Sequence, residues 1–302
     1  LKSPPGSVNV TAETDGEETM AGKLRWRELL DREGCLVLPG AYDALSARLI
    51  ERAGFDAYIV GGFPLVGARY ALPDIGLVGL GEMAAGVRDI MRGSSLPVMI
   101  DGDHGYGDVK NVSHTVRTYE ELGAAALFLE DQVMPKRCGH MAGKDVVPVE
   151  VMERKLKAAV AARRTDLFIV ARTDARAVHG LDDALRRCER YIAAGADGVF
   201  VEAPESVEEL ETIARAFDVP QMCNMLVSGR TPLLSNAELA DMGYAMVIHG
   251  IDLVMRAARV FQDTLSDLKA DRPKSAADYA GFEEFKEIMD FDAWAGVEER
   301  FG

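Results

Sequence analysis

The sequence predicts an α/β protein folded as a (β/α)8 barrel of TIM type with an extra C-terminal helical segment, and three observations carry that expectation. Eight short apolar or β-branched runs recur, each followed by a loop holding Gly, Asp or Pro and then by an amphipathic stretch of helical period. Runs alternating with helices pair as parallel strands through right-handed crossovers, and eight of them favour a closed barrel over an open doubly wound sheet. Neither a GxGxxG turn nor a P-loop follows any run, so a dinucleotide or nucleotide phosphate site loses its main support.

In chain order, residues 1–22 are rich in Pro, Gly, Ser, Thr and acidic residues with little to bury, and read as a flexible tail. The barrel is expected over 23–268, with strands at 36–39, 57–61, 97–100, 125–129, 167–171, 198–201, 221–225 and 245–248. Beyond 268 a linker of Lys, Asp, Arg and Pro leads to a last helical region within 269–302, outside the eight repeats, expected to pack on the barrel or on a neighbouring subunit. A chain of 302 residues with 48% hydrophobic content can bury one large core, so a single catalytic domain with extensions is the default.

The net charge of -15 argues against nucleic acid or an anionic membrane surface as a partner, since either needs clustered Lys and Arg. Positive charge for an anionic substrate must then be supplied locally, by a few cations or a metal. No apolar stretch approaches the roughly 18 to 20 residues of a membrane span, and the N-terminus lacks a charged-then-apolar signal pattern. The chain reads as cytoplasmic, or organelle-luminal after processing. Cys35, Cys138, Cys188 and Cys223 are far apart with no CxxC, which suits a reducing compartment, and three of them read as packing residues.

The polar residues point to chemistry through where they fall. Asp101 and Asp103 end the third run, Glu130 and Asp131 the fourth, Arg172 and Asp174 the fifth, Glu202 the sixth, and Asn224 lies near the end of the seventh. Barrel enzymes keep their chemistry at that C-terminal face. Any one of these could be a solvated strand-end group, but carboxylates from adjacent strands converging in one mouth repel unless a cation sits among them. Oxygen-only ligands select a hard ion, so Mg2+ is expected, with Mn2+ as the alternative. Residues 101–107 form a Gly-rich turn that lets backbone approach a ligand. On a continuing strand Asp101 and Asp103 would share one face. His104 reads as a hydrogen-bonded structural imidazole. The run Lys136-Arg137-Cys138-Gly139-His140 sets a lone thiol among two cations and an imidazole, a setting that lowers a thiol pKa and makes Cys138 a usable acid or base near neutrality.

With those residues in view, the chain resembles the isocitrate lyase and phosphoenolpyruvate mutase superfamily from about residue 26 to 300. The resemblance rests on Pro39 to Ala47, Leu72-Pro73-Asp74, Asp101-Gly102-Asp103, Leu129 to Gln132, Lys136 to His140, Ala171 to Ala175, Val201-Glu202-Ala203 and Gly229 to Pro232. Within the superfamily it is most similar to lyases acting on substituted malates, the group with 2-methylisocitrate lyase, 2,3-dimethylmalate lyase and the petal death protein.

The resemblance implies that Asp101, Asp103 and Glu130 hold Mg2+, partly through water, with Asp74 as a further acidic residue. It implies that the amides at Gly61, Gly62 and Phe63 bind the substrate's α-carboxylate, that Tyr42 lies beside the reacting hydroxyl and that Arg172 contacts the α-oxygen. Glu202, Asn224 and Thr231 match residues ordering the far carboxylate or the loop. Residues 132–147 match a gating loop that closes over a small anionic 2-hydroxy or 2-oxo diacid, brings Arg137 and Gly139 to it and delivers Cys138, tuned by Lys136, Arg137 and His140. The implied reaction is a retro-aldol type cleavage to a 2-oxo acid and a carboxylic acid, with Cys138 protonating the leaving enolate and Tyr42 or a metal-bound water as base. Alternatives are a carboxyphosphonoenolpyruvate-type phosphonomutase, hydrolysis or decarboxylation of oxaloacetate, and a non-enzymatic binding barrel. Two departures stand out: Gly61 where many relatives carry Ser, and His104, which is similar to the oxaloacetate decarboxylase branch. The resemblance further implies a homotetramer, a dimer of helix-swapped dimers.

Overall fold

In a computed structural model, which describes residues 25–137, 139 and 143–302, the eight runs form a single all-parallel sheet. The expected tail at 1–22 lies outside the described residues. The strands are β1 (Leu36–Pro39), β2 (Tyr58–Val60), β3 (Val98–Asp101), β4 (Ala126–Glu130), β5 (Phe168–Thr173), β6 (Gly198–Val201), β7 (Gln221–Asn224) and β8 (Met246–His249). Their hydrogen-bonded order is β1-β8-β7-β6-β5-β4-β3-β2. A parallel bridge between Gly40 and Ile59 brings the ends together, with the Ala41 amide donating to the Ile59 carbonyl at 2.9 Å, so the sheet is a nearly closed barrel. Gly40 is glycine because a β-carbon there would overlap the backbone of Gly250, just past the neighbouring strand β8.

Burial on both faces explains why the strands read as unbroken apolar runs. Alternate side chains fill the interior, where Leu38, Ile59, Met99, Phe128, Phe168, Val170, Phe200, Met222 and Ile248 form one cluster. Trp26 and Leu29, from the short helix Trp26–Leu30, belong to that cluster too. The intervening residues, such as Ile100, Leu127 and Ile169 on one side and Val199, Cys223 and Val247 on the other, pack under the surrounding helices. Local signals start and stop those helices. Asp43 Oδ1 accepts from the Ser46 amide at 2.7 Å to open Ala44–Arg52, and Gly123 at φ 89° closes Val109–Leu122.

Continuing the same alternation by one step past the interior cluster places the chemistry. The next inward positions after Met99, Phe128, Val170, Phe200 and Met222 are Asp101, Glu130, Arg172, Glu202 and Asn224.

The C-terminal region is different in kind. Helix Asp252–Lys269 buries none of its residues, and it is followed by the 3-10 turn Ala276–Asp278 and helices Phe282–Ile288 and Phe291–Phe301. Phe261, Phe282, Trp294 and Phe301 are 62 to 81% exposed. Ile288 is buried, next to a contact in which Arg48 donates to its carbonyl at 3.0 Å and pairs with Asp290 at 2.6 Å. A groove of about 640 Å3 lies between helix Asp252–Lys269 and helices Gly62–Tyr70 and Leu80–Met91, lined in part by Val254, Phe261, Leu65 and Ile90.

Candidate active site

Arg172 is the centre of the barrel mouth. Its side chain is buried and pinned on several sides: Nε and Nη2 donate to Asp174 at 2.9 and 3.1 Å, Nη2 lies 3.4 Å from Glu130 Oε2, and Nη1 lies 3.3 Å from Glu202 Oε2. The guanidinium carbon sits 5.4 Å from the Phe200 ring centre and 5.9 Å from that of Phe128. Burial works against its charge, but Asp174, Glu202 and Glu130 hold its pKa well above the ordinary arginine value. A guanidinium fixed in this way is pre-oriented to receive an anionic oxygen.

Beside it lies a second charged group built on Lys136, which is 4% exposed. Its ammonium pairs with Asp74 at 2.7 Å and with Asp103. Burial opposes the charge, while Asp103, Asp101, Glu130 and Asp74 together keep it protonated. Asp101 Oδ2 accepts from the Gly62 amide at 3.1 Å and Oδ1 from the Asp103 amide at 3.0 Å. Burial and the neighbouring Asp103 push the Asp101 carboxyl up to about 6. Burial likewise raises Asp74 and Glu130. Gly62 opens helix Gly62–Tyr70, and a β-carbon there would stand 3.2 Å from the Lys136 ammonium and 3.3 Å from Asp74, so a side chain would crowd this cluster.

The segment after β4 folds back over these groups. The Gln132 side chain donates to Glu130 Oε2 at 3.1 Å and to the Arg137 carbonyl at 2.8 Å, and its oxygen accepts from the Arg137 amide at 2.9 Å. Gly139 is buried against Arg172 and Glu202. Cys138 and His140 lie outside the described residues. A cavity of about 200 Å3 remains between these elements, lined by Gly61, Gly62, Phe63, Asp74, Asp101, Glu130, Lys136, Arg137, Gly139, Arg172, Glu202 and Asn224.

Four expectations are changed. Asp103 does not share the face of Asp101, because the strand ends at Asp101 and the chain turns through a left-handed residue at Asp103 (φ 48°). Its side chain lines an adjoining cavity of about 250 Å3 with His104 and Tyr106, reached by Lys136. Asp131 points away from the mouth, one step out of the inward alternation, and accepts from Thr173, Tyr191, Arg187 and the Asp174 amide at 2.7 to 3.2 Å. Tyr42 lines the outer groove of helix Asp252–Lys269, and burial and Asp43 raise its pKa. His104 is buried, as a structural imidazole should be, but its Nδ1 has no hydrogen-bond partner among the described residues, and burial and Lys155 push its pKa down to about 4. Thr231 is buried in the loop after β7, its hydroxyl without a partner among the described residues.

On the apolar side of the cavity the sequence named Phe63 but missed Leu226, Ile248 and Ile251. The signal was available for two of them: Leu226 and Ile248 continue the inward alternation of β7 and β8.

A divalent cation is implied by the carboxylate set. Among the described residues no three acidic, His or Cys groups already stand at metal-ligand spacing. The donors nonetheless suit a hard ion. They are all carboxylate oxygens, Glu130 Oε1 is buried with no hydrogen-bond partner among the described residues, and the Lys136 ammonium marks where the cluster accepts positive charge.

Fold and site together define a (β/α)8 enzyme with an anion-binding, carboxylate-rich mouth at the C-terminal ends of its strands. The model of the phosphoenolpyruvate phosphomutase family matches residues 26–269, and the chain belongs to that family, within the isocitrate lyase and phosphoenolpyruvate mutase superfamily. It is 41% identical to 2,3-dimethylmalate lyase of Eubacterium barkeri, over 92% of this chain and 97% of that one. It is 39% identical to a chloroplastic carboxyvinyl-carboxyphosphonate phosphorylmutase of Arabidopsis thaliana, over 92% and 84%. A solved oxaloacetate acetylhydrolase in complex with 3,3-difluorooxalacetate superposes with a TM-score of 0.87 at 29% identity, covering 92% of this chain and 96% of that one.

Proposed function

We propose that the protein is a Mg2+-dependent carbon-carbon lyase that cleaves an alkyl-substituted malate to a 2-oxo acid and a carboxylic acid. One observation carries this reading: a buried guanidinium, locked by Asp174, Glu130 and Glu202, shares a cavity of about 200 Å3 with the Gly62 helix start and the Asp101 and Glu130 carboxylates. The likeness to 2,3-dimethylmalate lyase supports the substrate class.

In this scheme the α-carboxylate lies at Gly61, Gly62 and Phe63, where a helix start and Lys136 favour negative charge. Asp101, Asp103, Glu130 and Asp74 would hold Mg2+, or Mn2+, which supplies Lewis-acid stabilisation of oxygen charge when bound. Arg172 stabilises the oxygen on C2 as the bond to C3 breaks, and its fixed geometry avoids reorganisation at that moment. Cys138 donates a proton to the enolate carbon that departs, and Lys136, Arg137 and His140 set its acidity. Asn224 and Glu202 order the far carboxylate, with Thr231 supporting the loop after β7. Leu226, Ile248 and Ile251 form the wall for an alkyl substituent. The proton of the C2 hydroxyl would pass to a base, either Tyr42, whose outer groove meets the cavity at Phe63, or a water on the bound cation.

The likeness to the phosphorylmutase supports a second reading, rearrangement of a phosphonate in the same arginine and carboxylate cradle. The test is 1H and 31P NMR of the protein with Mg2+ and 2,3-dimethylmalate, 2-methylisocitrate, isocitrate, oxaloacetate and phosphonopyruvate, each beside Cys138→Ser. A 2-oxo acid that is lost in the variant supports the lyase. A shifted phosphorus signal supports the mutase, and turnover of oxaloacetate alone supports hydrolysis or decarboxylation.

As to setting, no helix among the described residues is long and apolar enough to cross a membrane, and with the acidic charge this leaves neither nucleic acid nor a membrane as partner in our reading. We place the enzyme in the cytoplasm or an organelle lumen. The 23–268 barrel is the catalytic unit in this scheme, 269–302 is its C-terminal helical extension, and the assembly is a homotetramer, a dimer of helix-swapped dimers.

A further inference from the structure

Lys144 and Asp174 form an ion pair that the reaction scheme leaves unused. Lys144 Nζ lies 2.6 Å from Asp174 Oδ1, and the two side chains are 2% and 0% exposed. The same ammonium donates to the Gly139 carbonyl. Asp174 in turn accepts from Arg172 through both oxygens, and its own amide is anchored on Asp131 at 3.0 Å. Asp174 is therefore shared between the substrate-facing arginine and a lysine that returns to the backbone of the segment above it.

Gly139 closes this circuit. A β-carbon there would stand 2.6 Å from Arg172 Nη2 and from Glu202, so the main chain itself rests on the guanidinium. Burying an ammonium costs several kcal/mol unless it is paired and hydrogen-bonded, and here both conditions are met by two groups that belong to different parts of the site. Removing Lys144 would free the Gly139 carbonyl while leaving Arg172 on Asp174. Whatever fixes Gly139 also limits, through the covalent chain, where the residue before it can be delivered.

We propose that Lys144 is a positioning residue: by bridging Asp174 and the Gly139 carbonyl it seats Gly139 on Arg172, so that the proton donor arrives in register with the oxygen that Arg172 stabilises. The inference rests on the assignment of Cys138 as that donor. The test compares full-length Lys144→Met and Lys144→Arg with the parent in Mg2+, by steady-state turnover of the diacid panel, thermal melting and the rate of tryptic cleavage after Arg137 followed by mass spectrometry. Methionine keeps the length and apolar stem, so melting should change little. For Lys144→Met, kcat is expected to fall about 10- to 100-fold with a smaller change in KM, the scale expected for misplacing a catalytic group by about 1 Å. Cleavage after Arg137 should accelerate, and Lys144→Arg should recover most of both. Unchanged kcat or unchanged cleavage in Lys144→Met, or an arginine variant no better than the methionine one, overturns the proposal. If the parent turns over none of the diacids, the lyase reading fails by itself, while the cleavage comparison still decides whether Lys144 seats the segment.

Discussion

At the residue scale the site is governed by where side chains cannot be. Gly139 lies against Arg172 and Glu202 with no space for a methyl group, and it is buried. Gly139→Ala must displace either the segment or the guanidinium, so kcat/KM should drop about 100-fold while the melting temperature stays near that of the parent. Steady-state kinetics beside a melting curve would check this, and equal loss of both would point to a folding defect instead. Arg172 gives a complementary case. Arg172→Lys keeps a charge but loses the planar fork that meets Asp174 at 2.9 and 3.1 Å, and kcat should fall by about 100- to 1,000-fold.

At the scale of elements, two polar networks fasten the loops that carry the site. Asp131, at the end of β4, gathers Thr173 of β5 with Arg187 and Tyr191 of helix Leu181–Ala193. Asp131→Ala would leave Arg187 partly buried without that partner, and urea denaturation should show a loss of about 3 to 5 kcal/mol. Arg176, just past β5, pairs with Glu205 at 2.7 Å and with Glu209 at 2.8 Å, and Arg230 meets Glu205 at 3.1 Å. Burial pushes the Glu209 carboxyl up, but hydrogen bonds from Arg176 and the Glu205 amide outweigh it, and Arg176 lowers Glu205 as well. Both carboxyls sit below the ordinary value of 4.5, so the unfolded chain takes up protons first as pH falls. Their contribution to stability is complete above pH 4.5 and is lost as pH drops through the lower folded values. Melting temperature recorded from pH 7 downward should therefore fall less steeply below 4.5 in Glu209→Gln than in the parent.

At the scale of the whole molecule, the C-terminal helices leave a row of aromatic side chains uncovered. Phe261, Phe282, Trp294 and Phe301 are each more than 60% exposed, and large aromatic side chains left together in water mark a protein contact. Light scattering should report a mass near four chains at micromolar concentration. The double variant Phe261→Glu, Trp294→Glu should shift it toward the monomer with the barrel still folded by circular dichroism. A monomeric parent would contradict the proposed tetramer.

The barrel was legible because its strands are buried on both faces, which writes each as a short apolar run, and all eight such runs became β1 to β8 with no boundary off by more than two residues. The residues of the mouth were legible for a related reason. Strand alternation has a fixed period, so Asp101, Glu130, Arg172, Glu202 and Asn224 were bound to point inward once β3 to β7 were placed. That rule stops where the strand stops. Asp103 left the shared face because its backbone turns left-handed past the end of the strand, whereas Asp131 keeps the alternation, points outward one step after Glu130 and became a structural hub. Only the tertiary structure could put Lys144 on Asp174, 30 residues away, or Tyr42 on the outer groove, or bring Ile251 to the apolar wall of Leu226 and Ile248. Periodicity is a local property that the chain carries by itself, whereas these contacts depend on how loops cross the barrel mouth, and nothing in their own neighbourhood of sequence encodes the partner.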